Sequence, residues 1–509
     1  YLQELGIDLL WLSPVNQSPM RDNGYDISDY YTIDPSFGTN EDMYRLIDEA
    51  KKRGIRVVMD LVVNHCSDQH EWFQKALADP EGEYGQYFYF RKGTKEQPPN
   101  NWRSIFGGSA WERVGDTDWY YLHIFATQQP DLNWENPRLR EEIYTMINFW
   151  LKKGIAGFRL DAITYIKKEA GLPSYPADGE DGLVSVKYGA LNRPGIEVFL
   201  KEMREKTYGK YDAFTVGEAA GVEGEGALPF VSLEDGYFSA VFEISHLQPE
   251  LIGPNYFWCQ RQAWDPDDIR EAIFASQMAL QPKGWIANAM ESHDTPRSID
   301  LFLPPEGRNF YGASMLATLY MYLRGTPFIS IDDYDDCSSH GQYAFALQEG
   351  FSPEQALAFI QDRSRDNARY PMSWDAGENA GFTQGKPWLF VNPDHVRLNA
   401  REQREDPNSL FSFYKKLIAI KRDSVFCDLL AEGALTPLLE EEPHLFAYTR
   451  NDGKKKLIVL CNYQGEPRQL VWQVQGEAVL HNYPTFIWDR EKGEISLRPF
   501  EAAVILVQE

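Results

Sequence analysis

Buried strands that alternate with helices constrain the fold of this chain more than any other feature. Residues 7–12 and 55–63 are apolar runs with the length and composition of buried strands. Between them, Thr39 has the features of a helix N-cap and Gly54 those of a helix stop. Strand, helix and strand in this order are typical of a parallel sheet that is covered by helices.

The same order recurs further along the chain. A helical pattern ends at Gly154 and leads into the strand 157–161, and the helical segment 196–206 leads into the strand 213–218. Such repeats predict an α/β fold in which the parallel sheet closes as a (β/α)8 TIM barrel. A doubly wound open sheet is the alternative, but no GxGxxG sequence follows an early strand.

Two regions interrupt this alternation and predict separate domains. Residues 66–135 are rich in Trp, Tyr, Gly and Pro, which is typical of a long insertion that walls a site. Residues 426–509 contain short β runs with a turn signal at 451–453, and they predict an antiparallel β-sandwich. The barrel is therefore assigned to residues 1–65 and 136–425.

The charge of the chain limits its partners. The net charge is −26, from 76 acidic against 50 basic residues among 509. A surface of this sign repels nucleic acids and anionic membranes, so neither is expected as a partner. The most apolar helical stretch, residues 313–323, is too short and too polar to span a bilayer. Five scattered cysteines without a CxxC pair are typical of reduced thiols in a cytoplasmic protein.

Polar residues lie at the carboxyl ends of four predicted strands. In a (β/α)8 barrel these ends share one face, so the side chains are expected to line one pocket. Neither an HExxH sequence nor a Cys/His pair accompanies the histidines, and no metal site is predicted among them. The expected pocket residues are His65, Arg159, Asp161, Glu218, His293 and Asp294.

The strings DLVVNH, GFRLDAITYIKK, TVGEA and ESHDTPR, with QPDLNW at Gln129–Trp134, resemble the signature regions of the α-amylase superfamily. QPDLN is similar to its oligo-1,6-glucosidase and α-glucosidase branch. The resemblance extends from NGYDISDY at Asn23–Tyr30 to LRPFEA near the end of the sequence. It implies a retaining glycoside hydrolase that removes terminal glucose from small oligosaccharides and requires no cofactor.

The resemblance also implies the catalytic roles. Asp161 matches the nucleophile and Glu218 the general acid, and retention requires their carboxyl groups about 5–5.5 Å apart. Glu218 must carry a proton while Asp161 is ionised. Arg159 lies two residues before Asp161 on the same side of the strand, where it can keep that carboxylate ionised. Asp294 matches the third carboxylate, which binds sugar hydroxyl groups in the transition state.

Further residues match the sugar-binding positions of the family. Asp22 and Arg369 match an aspartate–arginine pair that holds the terminal sugar, as exo-action requires. Tyr25 matches a ring that stacks on the glucose at subsite −1, and His65 and His293 match hydroxyl donors there.

Linkage preference is assigned to Ala162, the residue after the nucleophile. In this branch, α-1,6-preferring enzymes typically carry Val there, whereas α-1,4-selective enzymes carry a smaller or polar residue. One or two methylenes change selectivity by only ~1–3 kcal/mol. We therefore expect an α-1,4 or broad preference, with oligo-1,6-glucosidase activity as the close alternative. Phe125 is expected to line subsite +1, and Asp60 to hold strand ends together through an ion pair.

Two family segments have no counterpart in the sequence. The first barrel strand, and a loop that in relatives can hold a structural Ca²⁺ or Mg²⁺ ion, would precede Tyr1. After Ile329 the family continues with a YQGEE-like segment, and we interpret its lack as omitted residues. A non-catalytic scaffold relative, a phosphotrehalose hydrolase and a transglucosylating isomerase are the competing hypotheses.

Overall fold

Seven parallel strands form the central sheet of the computed structural model. The structure describes residues 1–95, 97–243, 246, 264–329, 347, 350–357, 370–387 and 389–507. The strands pair in chain order. They are β1 (Leu9–Leu12), β2 (Arg56–Val62), β3 (Gly157–Asp161), β4 (Phe214–Gly217), β5 (Ala240–Glu243), β6 (Ala287–Asn288) and β7 (Thr326–Pro327).

The sheet curls so that its two edges approach each other. The Trp11 ring on β1 lies 5.9 Å from Phe242 on β5 and 6.5 Å from Phe328, which follows β7. Phe242 and Phe328 are 4.9 Å apart. Rings from both edges thus fill one interior, as in a barrel. The predicted barrel class is confirmed, and the described residues supply seven of its strands.

Helices cover the outside of the sheet. The first long helix begins at Asn40 and ends at Lys52. Thr39 is its N-cap, as predicted, and forms a capping box with Asp42. Gly54 follows with φ of +74°, a conformation that favours glycine. The other long helices beside the sheet are Pro137–Lys152, Ile196–Lys206, Pro266–Leu280 and Phe310–Met321.

The remaining helices are short, except Leu410–Arg422 with 13 residues. The α-helices are Leu2–Leu5, Glu71–Ala78, Lys187–Ala190, Leu228–Val231, Ser298–Phe302, Ala400–Glu405, Leu410–Arg422 and Cys427–Glu432. The 3₁₀ helices are Gly85–Tyr87, Ile163–Tyr165, Tyr208–Lys210, Gly224–Ala227, Pro305–Gly307, Glu378–Gly381 and Pro393–Val396.

The segment after β2 forms small sheets above the barrel. Phe90–Lys92, Trp119–Leu122 and Trp111–Arg113 form an antiparallel sheet in that order. Trp102–Arg103 pairs with Val184–Ser185 from the connection after β3. The loops after two neighbouring barrel strands are therefore joined by backbone hydrogen bonds on the same side of the barrel. A further short pair is formed by Asn16–Gln17 and Asp29–Ile33.

The C-terminal part folds into antiparallel sheets, as predicted. Its strands are β8 (Ala434–Pro437), β9 (Leu445–Asn451), β10 (Lys456–Asn462), β11 (Arg468–Val471), β12 (Glu477–His481), β13 (Ile487–Asp489), β14 (Glu494–Leu497) and β15 (Ala502–Val507). A five-stranded sheet has the order β8-β9-β10-β15-β12, and a three-stranded sheet the order β11-β14-β13.

Alternation along β9 explains how this part attaches to the barrel. Leu445 and Ala447 are buried between the two C-terminal sheets, whereas Phe446 and Tyr448 are buried in the cluster that includes the helix Phe310–Met321. The Tyr448 hydroxyl donates to the Leu319 carbonyl at 3.0 Å. One strand thus serves two hydrophobic cores because its side chains alternate between its faces.

Two further predictions concern the state of the cysteines and whether a helix could span a membrane. Cys66, Cys427 and Cys461 are free thiols, and Cys259 and Cys337 lie outside the described residues. Among the residues that the structure describes, no helix is long and apolar enough to cross a membrane.

Candidate active site

The predicted pocket residues meet at the carboxyl ends of the barrel strands. Strand register places Asp60 on β2 beside Arg159 on β3, and Val62 beside Asp161. Arg159 and Asp161 are two residues apart and point to the same side of the sheet. Glu218 directly follows β4, and its backbone N–H donates to the Leu160 carbonyl on β3. Neighbouring parallel strands therefore bring the carboxylates together.

Arg159 is at the centre of this group. Its Nη1 donates to Asp161 Oδ1 at 2.6 Å, and its Nη2 donates to Glu218 Oε2 at 2.5 Å. Nη1 also lies 3.0 Å from Asp60 Oδ1, which confirms the ion pair expected for Asp60. One guanidinium thus contacts three carboxylates, a geometry for which its planar set of donors is suited.

The pKa of Asp161 is higher than we expected for a carboxylate that Arg159 keeps ionised. Burial raises the pKa of Asp161 well above its ordinary value, Arg159 lowers it, and the Glu218 and Asp60 carboxylates raise it again. Burial likewise raises the pKa of Asp60 to about 6, against the opposing effect of Arg159. Arg159 therefore only partly offsets the effects of burial and of the neighbouring carboxylates on Asp161.

Tyr25 and His293 form a second part of the pocket. The Tyr25 hydroxyl donates to Asp60 Oδ2 at 3.1 Å and lies 2.9 Å from His293 Nε2. The two rings are stacked at 5.6 Å with an interplanar angle of 9°. His293 Nε2 is also 3.2 Å from Asp294 Oδ2. The structure therefore places Asp294 beside Tyr25 and His293, as the sequence predicts.

Asp22 and His65 lie on either side of a buried amide. Gln129 Nε2 donates to Asp22 Oδ2 at 2.9 Å and lies 3.2 Å from His65 Nε2. Burial lowers the pKa of His65, so this imidazole is neutral near pH 7. An imidazole, an acceptor carboxylate and an amide nitrogen in one place are groups that can recognise a sugar hydroxyl.

Phe125 and Ala162 lie near this group. The Phe125 ring is 5.1 Å from His65 and 6.1 Å from Tyr165. Ala162 is buried and left-handed, with φ of +44°, and its N–H donates to Glu218 Oε2 at 3.2 Å. The residue assigned to linkage preference thus also contacts the predicted general acid. Arg369, and the gap that follows Ile329, lie outside the described residues.

Three residues that support the pocket were not identified from the sequence. Gln129 and Asp131 both lie in the string QPDLNW. Asp131 Oδ2 forms an ion pair with Lys168 Nζ at 2.5 Å. Lys168 ends the string GFRLDAITYIKK. The polar residues in both strings indicated that these segments contribute to a site. Their spacing, however, does not show which residues of two distant segments contact each other.

One cluster outside the pocket resembles a set of metal ligands. Asp265, Asp267 and His444 have side-chain ligand atoms within 4.8 Å of one another, and among the described residues no other such group of three occurs. However, His444 Nε2 bonds Asp265 at 2.8 Å, and Asp265 caps the helix that begins at Pro266. These contacts serve the junction of barrel and C-terminal sheets, and we assign no metal here.

The chain is similar in sequence to known proteins. The family model described as "Alpha amylase, catalytic domain" matches residues 1–430. The chain is 39% identical to the oligo-1,6-glucosidase of Parageobacillus thermoglucosidasius, over 100% of this chain and 93% of that protein. It is also 39% identical to the oligo-1,6-glucosidase of Bacillus cereus, over 99% and 92% of the two chains.

A solved structure gives the same result for the fold. The isomaltulose synthase of Klebsiella sp. LX3 superposes with a TM-score of 0.92 at 33% identity. The superposition covers 100% of this chain and 93% of that structure.

Proposed function

Since the chain belongs to the alpha-amylase family and is a glycoside hydrolase of the glucosidase type, we propose that it is an exo-acting, retaining oligo-1,6-glucosidase. Its substrates in this proposal are short oligosaccharides that end in α-linked glucose. The observation that carries the proposal is the pair of carboxylates, Asp161 and Glu218, on the two terminal nitrogen atoms of Arg159.

The proposed mechanism uses these two groups in sequence. Asp161 attacks the anomeric carbon and forms a covalent glucosyl-enzyme, while Glu218 protonates the departing glycosidic oxygen. Glu218 then removes a proton from water, which attacks the same carbon and releases glucose with its original configuration. The Glu218 side chain is 33% exposed, compared with 11% for Asp161, which suits a group that meets the leaving sugar and the water.

The charges of the pocket bear on this division of roles. The mechanism requires an ionised Asp161 and a proton on Glu218. Arg159 stabilises the ionised form of Asp161 against burial. Asp294, next to His293 and Tyr25, would bind hydroxyl groups of the sugar ring as it flattens toward the oxocarbenium ion.

The proposed exo-action depends on the group around Gln129. A terminal hydroxyl of glucose could accept from His65 or Gln129 and donate to Asp22, because all three polar atoms lie close together. Tyr25 would face the glucose at subsite −1, and Phe125 would line subsite +1. Arg369 is proposed as the partner of Asp22 on the resemblance alone.

The α-1,6 preference rests on the relatives. The α-1,4 or broad preference that we expected from Ala162 is not supported by the comparisons, and the alternative, an oligo-1,6-glucosidase, fits them better. An α-1,4-preferring glucosidase remains the second candidate, because Ala162 has a small side chain and its N–H contacts Glu218.

Steady-state kinetics on isomaltose and maltose test the proposal. We expect kcat/KM for isomaltose to exceed that for maltose by about tenfold, which corresponds to about 1.4 kcal/mol between the transition states. A preference of the same size for maltose would establish the second candidate. Sucrose and trehalose-6-phosphate in the same assay test the isomerase and phosphotrehalose hypotheses, and higher kcat/KM for either would overturn the proposal.

A further inference from the structure

Lys168 is a buried lysine that the proposed mechanism does not use. Its side chain is 1% exposed, and its Nζ lies 2.5 Å from Asp131 Oδ2. Nζ also donates to Asn64 Oδ1 at 2.9 Å and to the Tyr165 carbonyl at 2.6 Å. The lysine therefore joins three segments: the end of β2, the QPDLNW string, and the turn after β3.

These contacts determine how the Asn64 amide is oriented. A lysine ammonium can only donate, so the atom of Asn64 that faces it must be the carbonyl oxygen. The amide nitrogen then faces Asp131 Oδ2 at 3.4 Å, and a carboxylate is an acceptor. In the reverse orientation, the Asn64 NH₂ group would face the Lys168 ammonium and the Asn64 oxygen would face the Asp131 carboxylate. Lys168 and Asp131 therefore favour the same orientation of the amide.

The Asn64 amide in turn determines the protonation of His65. Its Nδ2 lies 3.2 Å from His65 Nδ1. A donor at this position requires an unprotonated Nδ1, so the neutral imidazole carries its hydrogen on Nε2. His65 Nε2 is 3.1 Å from the Tyr25 carbonyl, an acceptor that agrees with this tautomer. The Gln129 amide nitrogen, 3.2 Å from the same atom, is a donor and opposes it, but the carbonyl contact is the shorter of the two.

We infer that Lys168 is a positioning residue, which fixes His65 in the tautomer protonated on Nε2 by orienting the Asn64 amide. The chain of contacts runs from a buried ion pair to a histidine of the proposed sugar pocket. Lys168 itself does not reach the pocket in this scheme.

The consequence for recognition rests on the proposed function. His65 Nε2 lies next to the Gln129 amide nitrogen, which is bonded to Asp22. In the selected tautomer the edge of His65 nearest to these residues carries the Nε2 hydrogen, which in this structure faces the Tyr25 carbonyl and which a bound sugar oxygen would share. A sugar hydroxyl that donates to Asp22 therefore finds a donor for its oxygen atom. With the opposite tautomer, the same edge would present a lone pair.

A double variant, Lys168→Met/Asp131→Asn, tests the inference without leaving a buried charge unpaired. The amide oxygen introduced at position 131 can keep the bond that Asp131 Oδ1 accepts from the Ile124 N–H, and the new NH₂ group then faces Asn64. Asn64 then faces a donor where it faced an acceptor, so we expect its amide to rotate and place its oxygen toward position 131 and His65. His65 should then carry its hydrogen on Nδ1. Asn64→Leu is the second variant, in which we expect His65 to lose its single tautomer.

The readout is the tautomer itself. Two-bond ¹H–¹⁵N correlation spectra of protein labelled with ¹⁵N-histidine separate protonated from unprotonated ring nitrogens, and His65→Gln assigns the signal. We expect an unprotonated Nδ1 in the wild type and a protonated Nδ1 in the double variant. Activity on p-nitrophenyl α-glucoside should fall about tenfold in kcat/KM, mainly through KM, as for the loss of one hydrogen bond to substrate.

Lys167→Met is the matched control. Lys167 precedes Lys168, but its side chain is 18% exposed and pairs with Glu135 at the surface. We expect the His65 signals and KM of this variant to equal those of the wild type. A His65 tautomer that is unchanged in both folded variants, or an Nδ1-protonated wild type, would overturn the inference. A wild type without glucosidase activity would instead overturn the proposed function, and the spectra would still decide the tautomer.

Discussion

Arg159 offsets part of the negative charge of the pocket, because its guanidinium contacts Asp60, Asp161 and Glu218. Through these contacts Arg159 influences how activity depends on pH, which its position in the sequence alone does not show. Burial raises the pKa of Asp161 and Arg159 lowers it. The proposed nucleophile must be ionised, so we expect activity to be lost as the pH falls through this pKa.

Replacing Arg159 by Gln should therefore move the acid limb of the pH profile. Without the cation the pKa of Asp161 rises further, and we expect the acid limb of kcat/KM to move to higher pH by about one unit or more. Arg159→Lys keeps the charge and should show a smaller displacement. Profiles measured with an activated aryl α-glucoside would contradict the account if the limb moved to lower pH in Arg159→Gln.

Strand β3 and its following turn show how one element sets several parts of the site. The strand supplies Arg159 and Asp161, and Ala162 ends it in a left-handed conformation with φ of +44°. A β-branched residue is strained at positive φ. The small residue at this position is thus compatible with its backbone, and its N–H is free to contact Glu218.

A substitution at Ala162 separates the effects of size and backbone conformation. We expect Ala162→Val to raise the ratio of kcat/KM for isomaltose over maltose by about tenfold, because the larger side chain narrows the space at subsite +1. The same variant should unfold more readily, by about 1–3 kcal/mol, owing to strain. Ala162→Gly should retain the wild-type ratio. An unchanged ratio in the valine variant would remove Ala162 as a determinant of linkage.

Many features of these strands and helices could be predicted from the sequence. The strands, the Thr39 cap and the position of Arg159 relative to Asp161 depend on local patterns, and the motif strings assign the proposed catalytic carboxylates by resemblance. The Asn64–Lys168 contact and the pairing of Val184–Ser185 with Trp102–Arg103 join segments that are distant in sequence. Their partners are set by the packing of two loops, for which no local periodicity exists.

At the scale of the whole molecule, Arg450 connects the C-terminal sheets to the barrel. It lies on β9, is fully buried, and donates to the Tyr322, Leu430 and Gly433 carbonyls at 2.8–3.1 Å. These carbonyls follow or end the helices Phe310–Met321 and Cys427–Glu432. Helix C-termini attract cations, so the residue stabilises both ends at once.

Removing this side chain should destabilise the protein as a unit. Arg450→Met leaves three buried carbonyl groups without their donors, and we expect the free energy of unfolding to fall by about 3 kcal/mol or more. Arg45→Met, at a residue whose side chain is 76% exposed, should change it by less than about 0.5 kcal/mol. Denaturant titration measures both, and equal values for the two variants would contradict this role of Arg450.

The proposed roles of Asp161 and Glu218 are tested by the configuration of the glucosyl azide that each alanine variant forms. In Asp161→Ala, azide can replace the nucleophile and attack the substrate directly, so the account predicts β-glucosyl azide. In Glu218→Ala, azide attacks the covalent intermediate on Asp161, and the account predicts α-glucosyl azide. Proton NMR of the two products distinguishes the anomers, and the reversed pair of configurations would contradict the assignment of both residues.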